Sequence, residues 1–248
     1  MDKLQLEIKN LEIGYVNKQH EISVFKNINA SFTNGQLIGL VGNNGIGKST
    51  LLRTIASLQQ KLSGDILINN NSIEKLRKEE TAKLISIVLT EKISGFNLTV
   101  TDLISMGRVP YTNSFHELQE NDFIIINECI QLCGLTDHKN KLLAELSDGL
   151  FQKAMIAKGL AQQTNLILLD EPTAYLDFNS KQELFTLLNN LVVKNNKCII
   201  ASSHDIELLL KYSTHLLVFG DNNEFEFIET NGCRSNKLFQ KVTKNYFD

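Results

Sequence analysis

Hydrophobic positions along the chain recur with two periods. Residues 4–13, LQLEIKNLEI, alternate apolar with polar and then change phase, which predicts two short strands with one buried face. QLIGLVG at 36–42 is a denser apolar run ending in glycine, the pattern of a strand covered on both faces in a parallel sheet. From Lys48 onward the spacing turns helical, with Leu51, Leu52, Ile55 and Leu58 recurring on one side. GDILIN at 64–69 and KLISIVLT at 83–90 again predict strands. Helical spacing dominates from about residue 95 to 160, as in NDFIIINECIQLCGL, and marks a candidate helical subdomain. NLILLD at 165–170 and CIIASS at 198–203 return to buried-strand character, separated by an amphipathic helix carrying Leu184, Leu187, Leu188 and Leu191. Strand, helix and strand in that order predict a parallel crossover in an α/β fold. LLVFGDNNEFEFIE closes the pattern with two alternating runs around GDNN, a hairpin signal.

Composition narrows this picture. With 248 residues, 42% of them hydrophobic, the chain can bury a substantial core. That core allows one large domain or two small ones; with only two prolines and no repeat or linker-like stretch, the helical block is expected to be inserted rather than tethered. A net charge of -3 gives no basic stripe for nucleic acid, and no nucleic-acid partner is expected. Cys129, Cys133, Cys198 and Cys233 form no CxxC pair, and MDKLQLEIKN does not read as a secretory leader; a reducing cytosol is expected. Cys129 and Cys133 stand one helical turn apart, but no His or further Cys nearby completes a metal set, so they read as buried thiols. No stretch approaches the roughly 20 apolar residues that span a bilayer. Work at a membrane would therefore run through a partner.

Four short stretches carry chemistry. Gly42 to Ser49 in VGNNGIGKST fits G-x-x-x-x-G-K-[ST]. Glycines let the backbone around Asn43, Asn44, Gly45 and Gly47 curl until its N–H groups face phosphate oxygens, and the following helix adds its positive end. Lys48 supplies charge near the β and γ phosphates, and Ser49 would hold Mg²⁺. The same residues also suit a plain turn opening a helix, but the position between a strand and a helix favours phosphate. LILLDEPTAYLD, 166–177, ends a strand in Asp170, placed to hold the Mg²⁺ shell through water, and Glu171, placed to polarise an attacking water. Two acids after a strand also serve as a helix cap. In AELSDGLFQKAMIAKGLAQ, Ser147 caps a helix beside Asp148 and Gly149 and takes further meaning only from its company. His204 follows CIIASS at another strand end, as a structural group or one facing the γ-phosphate. A phosphate loop alone indicates a nucleotide, not a reaction.

These four elements, in this order, resemble the ATP-binding subunits of ABC transporters over about residues 4–230. GNNGIGKST, which includes Thr50, is similar to the family's Walker A motif and LILLDE to its Walker B. LSDG resembles the signature motif, AYLD with Asp177 the D-loop, and His204 the switch histidine. Tyr15 stands where the family places an aromatic that stacks on adenine; a buried core tyrosine is the alternative. The resemblance implies a single domain over residues 1–248 with a P-loop ABC-ATPase fold, comprising an N-terminal antiparallel β subdomain, a mainly parallel core sheet and an inserted α-helical subdomain. It also implies a head-to-tail homodimer sandwiching two ATP molecules with Mg²⁺, so that Ser147 and Gly149 serve the partner's nucleotide. Further implied partners are an integral membrane permease and a substrate-binding protein, with the chain peripheral on the cytoplasmic face of the inner membrane.

Two positions depart from the family pattern. Thr90, followed by Glu91, stands where a glutamine that touches Mg²⁺ is usual, and either residue could replace it. Leu150 follows Gly149 where the signature usually continues with Gln or Glu. TVTDLISMGRVPYTNSF, 99–115, is similar to a segment of importers for iron-siderophores, haem and cobalamin, although a helix end and a proline-bounded turn read equally from its residues. The expected function is thus an importer's ATPase. The alternative is a soluble ABC ATPase without a permease, such as an iron–sulfur assembly factor. A GTPase or small-molecule kinase would want an Asn-Lys-x-Asp guanine reader or an arginine-bearing lid, and neither is found.

Overall fold

The computed structural model describes residues 4–17, 20–89, 97–113, 115 and 117–247. Strands β1 (Gln5–Asn17) and β2 (His20–Thr33) pair antiparallel, and β3 (Leu37–Val41) leads through the glycine loop into helix α1 (Lys48–Ile55). Strands β4 (Ser63–Ile68) and β5 (Asn71–Ser72) extend the first sheet, in the order β2-β1-β4-β5. Helix α2 (Lys78–Leu84) precedes β6 (Ile85–Val88). Next come α3 (Val100–Ser105), α4 (Glu120–Leu132) and α5 (Asp148–Ala161), which pack on one another. The chain then runs through β7 (Leu166–Leu169), α6 (Phe178–Asn195), β8 (Cys198–Ser202), α7 (Ile206–Tyr212), β9 (His215–Phe219), β10 (Phe225–Glu229) and α8 (Lys237–Phe247). The second sheet has the order β10-β9-β3-β8-β7-β6, parallel throughout except for the β9–β10 hairpin.

The apolar runs of the central strands follow from this layering. Leu166 and Leu168 of β7 join a core with the antiparallel sheet and α1, whereas Ile167 and Leu169 face a second core with the helices. Both faces are covered, so no polar position interrupts the strand. Each such side chain withdrawn from water contributes about 1.5–3 kcal/mol. Phe25 of β2 and Phe219 of β9 meet edge-on, centroids 5.0 Å apart, and help join the two sheets.

Several expectations shift at their boundaries. Residues 5–13 belong to one strand: Asn10 takes a left-handed conformation (φ 46°), and the register slips between Ile8 and Leu11, so a bulge accounts for the phase change. Strand β2 had no clear alternation because Asn27 (φ 58°) bulges it, leaving its buried Phe25, Ile28 and Phe32 at near-helical spacing. Lys83 and Leu84 close α2 rather than open β6, and Leu58 lies exposed beyond α1. All four cysteines are free and buried; burial pushes the thiols of Cys129, Cys133 and Cys198 up to about 11, 12 and 12. Among the described residues no helix is long and apolar enough to cross a membrane.

Candidate nucleotide site

Strands β3, β7 and β8 run parallel and end on the same edge of the sheet, where the polar residues that follow them converge. After β3, Gly47 takes φ 116°, and a Cβ there would stand 2.9 Å from Val24 Cγ1, so both conformation and space call for glycine. Gly47 precedes α1 with no side-chain cap, which leaves the first-turn N–H groups and the positive helix end for an outside acceptor. Asn43, Asn44, Gly45 and Ser49 are exposed, while Gly42, Lys48 and Thr50 are buried. Lys48 Nζ donates to the carbonyls of Gly42 (2.7 Å) and Asn43 (3.2 Å). Burial pushes its pKa down, opposed by the charges of Glu171 and Asp170.

Asp170 follows β7 and is anchored by its own N–H donating to Val88 O at 2.9 Å. Its Oδ1 accepts from two hydroxyls, Ser49 Oγ and Ser202 Oγ, each at 2.9 Å. Hydroxyl and carboxylate oxygens are the hard donors that Mg²⁺ takes together with substrate phosphates, and the Ser49–Asp170 pair fits that ion. Glu171 sits at φ 46°, a conformation costing a non-glycine residue about 1–2 kcal/mol. Its N–H donates to Ser202 Oγ at 2.8 Å, and His204 Nε2 lies 3.3 Å from its Oε1. Burial raises the Glu171 pKa, against the pull of His204 and Lys48 and with Asp170 adding to the rise. The edge therefore holds a carboxylate with heightened proton affinity beside a cation and a hydroxyl–carboxylate oxygen pair. That set can bind a polyphosphate and take a proton from water.

The remaining expected residues occupy distinct places. Tyr15 is 52% exposed, which removes the buried-core alternative, and its hydroxyl lies 3.3 Å from Thr50 Oγ1. It lines a cleft of about 370 Å³ with Arg53, Gln59 and Leu89. Ser147 caps α5, its Oγ accepting from Leu150 N at 3.3 Å. Leu150 packs against the helical core. Asp177 caps α6, accepting from Ser180 N and Oγ at 3.0 and 2.7 Å, and these bonds lower its pKa. Among the described residues no hydrogen bond joins Ser147, Gly149 or Asp177 to the Gly42–Thr50 loop. Thr90 and Glu91 lie outside the described residues.

Sequence reasoning missed two arrangements. Thr173 Oγ1 meets Ser203 Oγ at 3.0 Å and donates to Asp205, which pairs with Lys181 at 3.0 Å, so the turn after Glu171 is fastened to the chain around His204. Polar residues flanking both strand ends were the available signal. In GRVPY, Arg108 is 3% exposed and pairs with Asp122 at 2.7 Å, which makes the segment a clasp within the helical unit.

A model of the ABC transporter family matches residues 25–174. An uncharacterised ABC transporter ATP-binding protein of Methanocaldococcus jannaschii is 35% identical over 98% of this chain and 81% of its own length. A petrobactin import ATP-binding protein of Bacillus anthracis is 33% identical over 98% of this chain and 86% of its own. Among solved structures, an ATP-binding cassette of dimeric structure in a post-hydrolysis state, bound to ADP and Pi, superposes with a TM-score of 0.77 at 24% identity. It covers 92% of this chain and 99% of that one, a likeness of fold.

Proposed function

We propose, because this chain belongs to the ABC transporter family and is an ATP-hydrolysing ATP-binding subunit of it, that it drives uptake of a chelated-metal or corrinoid substrate through a separate membrane permease. The substrate class is iron-siderophore, haem or cobalamin. The observation that carries the reading is the near end-to-end likeness to a petrobactin import ATP-binding protein. The resemblance of the Gly107–Tyr111 segment to that importer branch points the same way.

In this reading the Gly42–Thr50 backbone and α1 hold the phosphates of ATP, and Lys48 exchanges its loop carbonyls for phosphate oxygens. Ser49 would hold Mg²⁺ directly and Asp170 its shell through water, and the ion would supply charge neutralisation to the phosphates. Glu171 accepts the proton of the attacking water, for which its raised pKa suits it. His204 steadies the Glu171 carboxylate, and Tyr15 lies beside the adenine. Ser147, Gly149 and Asp177 serve the nucleotide of a second copy in a head-to-tail homodimer holding two ATP. Gly149 supports this: a Cβ there would make ordinary contact, 3.5 Å from Ser180 Oγ, so nothing among the described residues requires glycine. Where the family usually has a glutamine this chain has Thr90 followed by Glu91, and either could take its place. The assembly sits on the cytoplasmic face of the inner membrane, with a substrate-binding protein delivering cargo.

Tagging the chain in its native host, solubilising membranes in mild detergent and identifying what co-purifies tests the reading. A polytopic permease at two-to-two stoichiometry is expected. Exclusively soluble partners, with the protein absent from membranes, would instead support the assembly-ATPase alternative.

A further inference from the structure

Ser202 is the last residue of β8 and is fully buried, following Ile199, Ile200 and Ala201 in an otherwise apolar strand. Packing there does not call for a hydroxyl. Yet both directions of its hydrogen bonding are spent on the end of β7: it donates to Asp170 Oδ1 at 2.9 Å and accepts from Glu171 N at 2.8 Å. The parallel register, with Ala201 paired to Leu169, sets Ser202 level with Asp170.

We infer that Ser202 is a positioning residue for ATP hydrolysis, one buried hydroxyl that orients the Asp170 carboxylate and locks the Glu171 backbone at once. The inference rests on the roles proposed above for those two acids. Comparison of the two hydroxyls on Asp170 Oδ1 carries the argument. Ser49 is exposed at the loop, so its hydroxyl is able to turn toward a cation. Ser202 is enclosed and already tied to a backbone amide, so it keeps Asp170 in place when Ser49 turns. The amide bond also opposes relaxation of Glu171 out of its left-handed conformation (φ 46°), which fixes where the carboxylate projects. His204 stands two residues beyond Ser202, and its Nε2 lies 3.3 Å from the Glu171 carboxylate. Deleting the hydroxyl should therefore loosen metal ligand and base together.

The test compares Ser202→Ala, Ser202→Cys and Glu171→Gln in the full chain. Both Ser202 variants should lose about 10–100-fold in kcat, with KM for ATP changing less than about threefold. Mn²⁺, titrated into the ATP-loaded protein and followed by electron paramagnetic resonance, should bind about tenfold more weakly. In the nucleotide-free protein, amide exchange at Glu171 should speed up about tenfold or more while the β7 amides keep their protection. The cysteine variant nearly preserves volume and donates poorly, so it decides the matter if alanine upsets folding. Wild-type kcat and Mn²⁺ affinity in Ser202→Cys, or an unchanged Glu171 amide, would overturn the inference. Glu171→Gln separates the two levels: if it loses turnover while the Ser202 variants keep theirs, this inference alone fails. If it retains turnover, the roles of the acids fail and the inference falls with them.

Discussion

Lys48 and Arg108 are both nearly sealed from water, at 7% and 3% exposure, yet the fold holds them in opposite ways. Arg108 donates to Asp122 Oδ1, Ala161 O and Gln163 Oε1, and its guanidinium lies 4.1 Å from the centroid of the Tyr111 ring. Burial works to raise the Asp122 pKa, but the Gln119 N–H and Arg108 outweigh it and hold the carboxyl low. This charge is consumed inside the molecule, where it ties the end of α3 to α4 and α5. Lys48 instead donates to two neutral carbonyls of its own loop and faces acids that have further partners. Those carbonyls can be exchanged for the oxygens of an anion. On the reading proposed above, a buried cation with a dedicated counter-ion is scaffold, and one held by replaceable partners at an open sheet edge binds a ligand.

The sharpest way to break this comparison is to delete each cation. Arg108→Ala should cost about 3–5 kcal/mol, because Asp122 is left buried and unpaired, and urea unfolding reads this directly. Lys48→Ala should change stability by no more than about 1 kcal/mol while abolishing ATP binding in calorimetry. If the lysine variant unfolds, or the arginine variant does not, the distinction is wrong.

Two glycines, both in the helical unit, offer a smaller contrast between a scaffold position and one proposed to serve a ligand. A Cβ on Gly107 would stand 2.3 Å from the backbone oxygen of Lys158, so Gly107→Ala should cost about 1–3 kcal/mol. Gly149→Ala has room and should stay within about 0.5 kcal/mol of wild type. Its loss should appear as weaker ATP-dependent dimerisation in light scattering.

The smallest effect concerns Glu171, whose raised pKa makes the folded state hold its proton more tightly than the unfolded chain does. Stability is therefore lost as pH rises from the ordinary value of 4.5 through the folded pKa. Without nucleotide, Glu171→Gln should melt slightly above wild type at pH 8, and the gain should vanish as pH falls toward 4.5. A variant less stable at pH 8 would show that Glu171 serves the fold rather than working against it.

How much was legible in the sequence follows the same division. Strands β3, β7 and β8 could be read because each is a dense apolar run followed by glycine, acid or a Ser-His pair at the edge where chemistry sits, and the phosphate loop because its glycines, lysine and hydroxyls stand at fixed spacing. Strand β2 escaped because the bulge at Asn27 destroys its period of two, and bulges are set by pairing rather than by local pattern. Arg108 read as part of a turn because its acceptors lie 14, 53 and 55 residues away. Ser202 vanished into a strand pattern that tolerates one small polar residue, and only the Asp170 and Glu171 contacts give it meaning.

The claim that the β3–β7–β8 edge is the hydrolytic site is tested most directly by single-turnover hydrolysis in Glu171→Gln, with bound ATP measured on the same sample. The account predicts that the variant retains ATP and Mg²⁺ and hydrolyses the nucleotide about 10²–10⁴-fold more slowly than wild type. Hydrolysis at the wild-type rate would contradict it and move the base elsewhere.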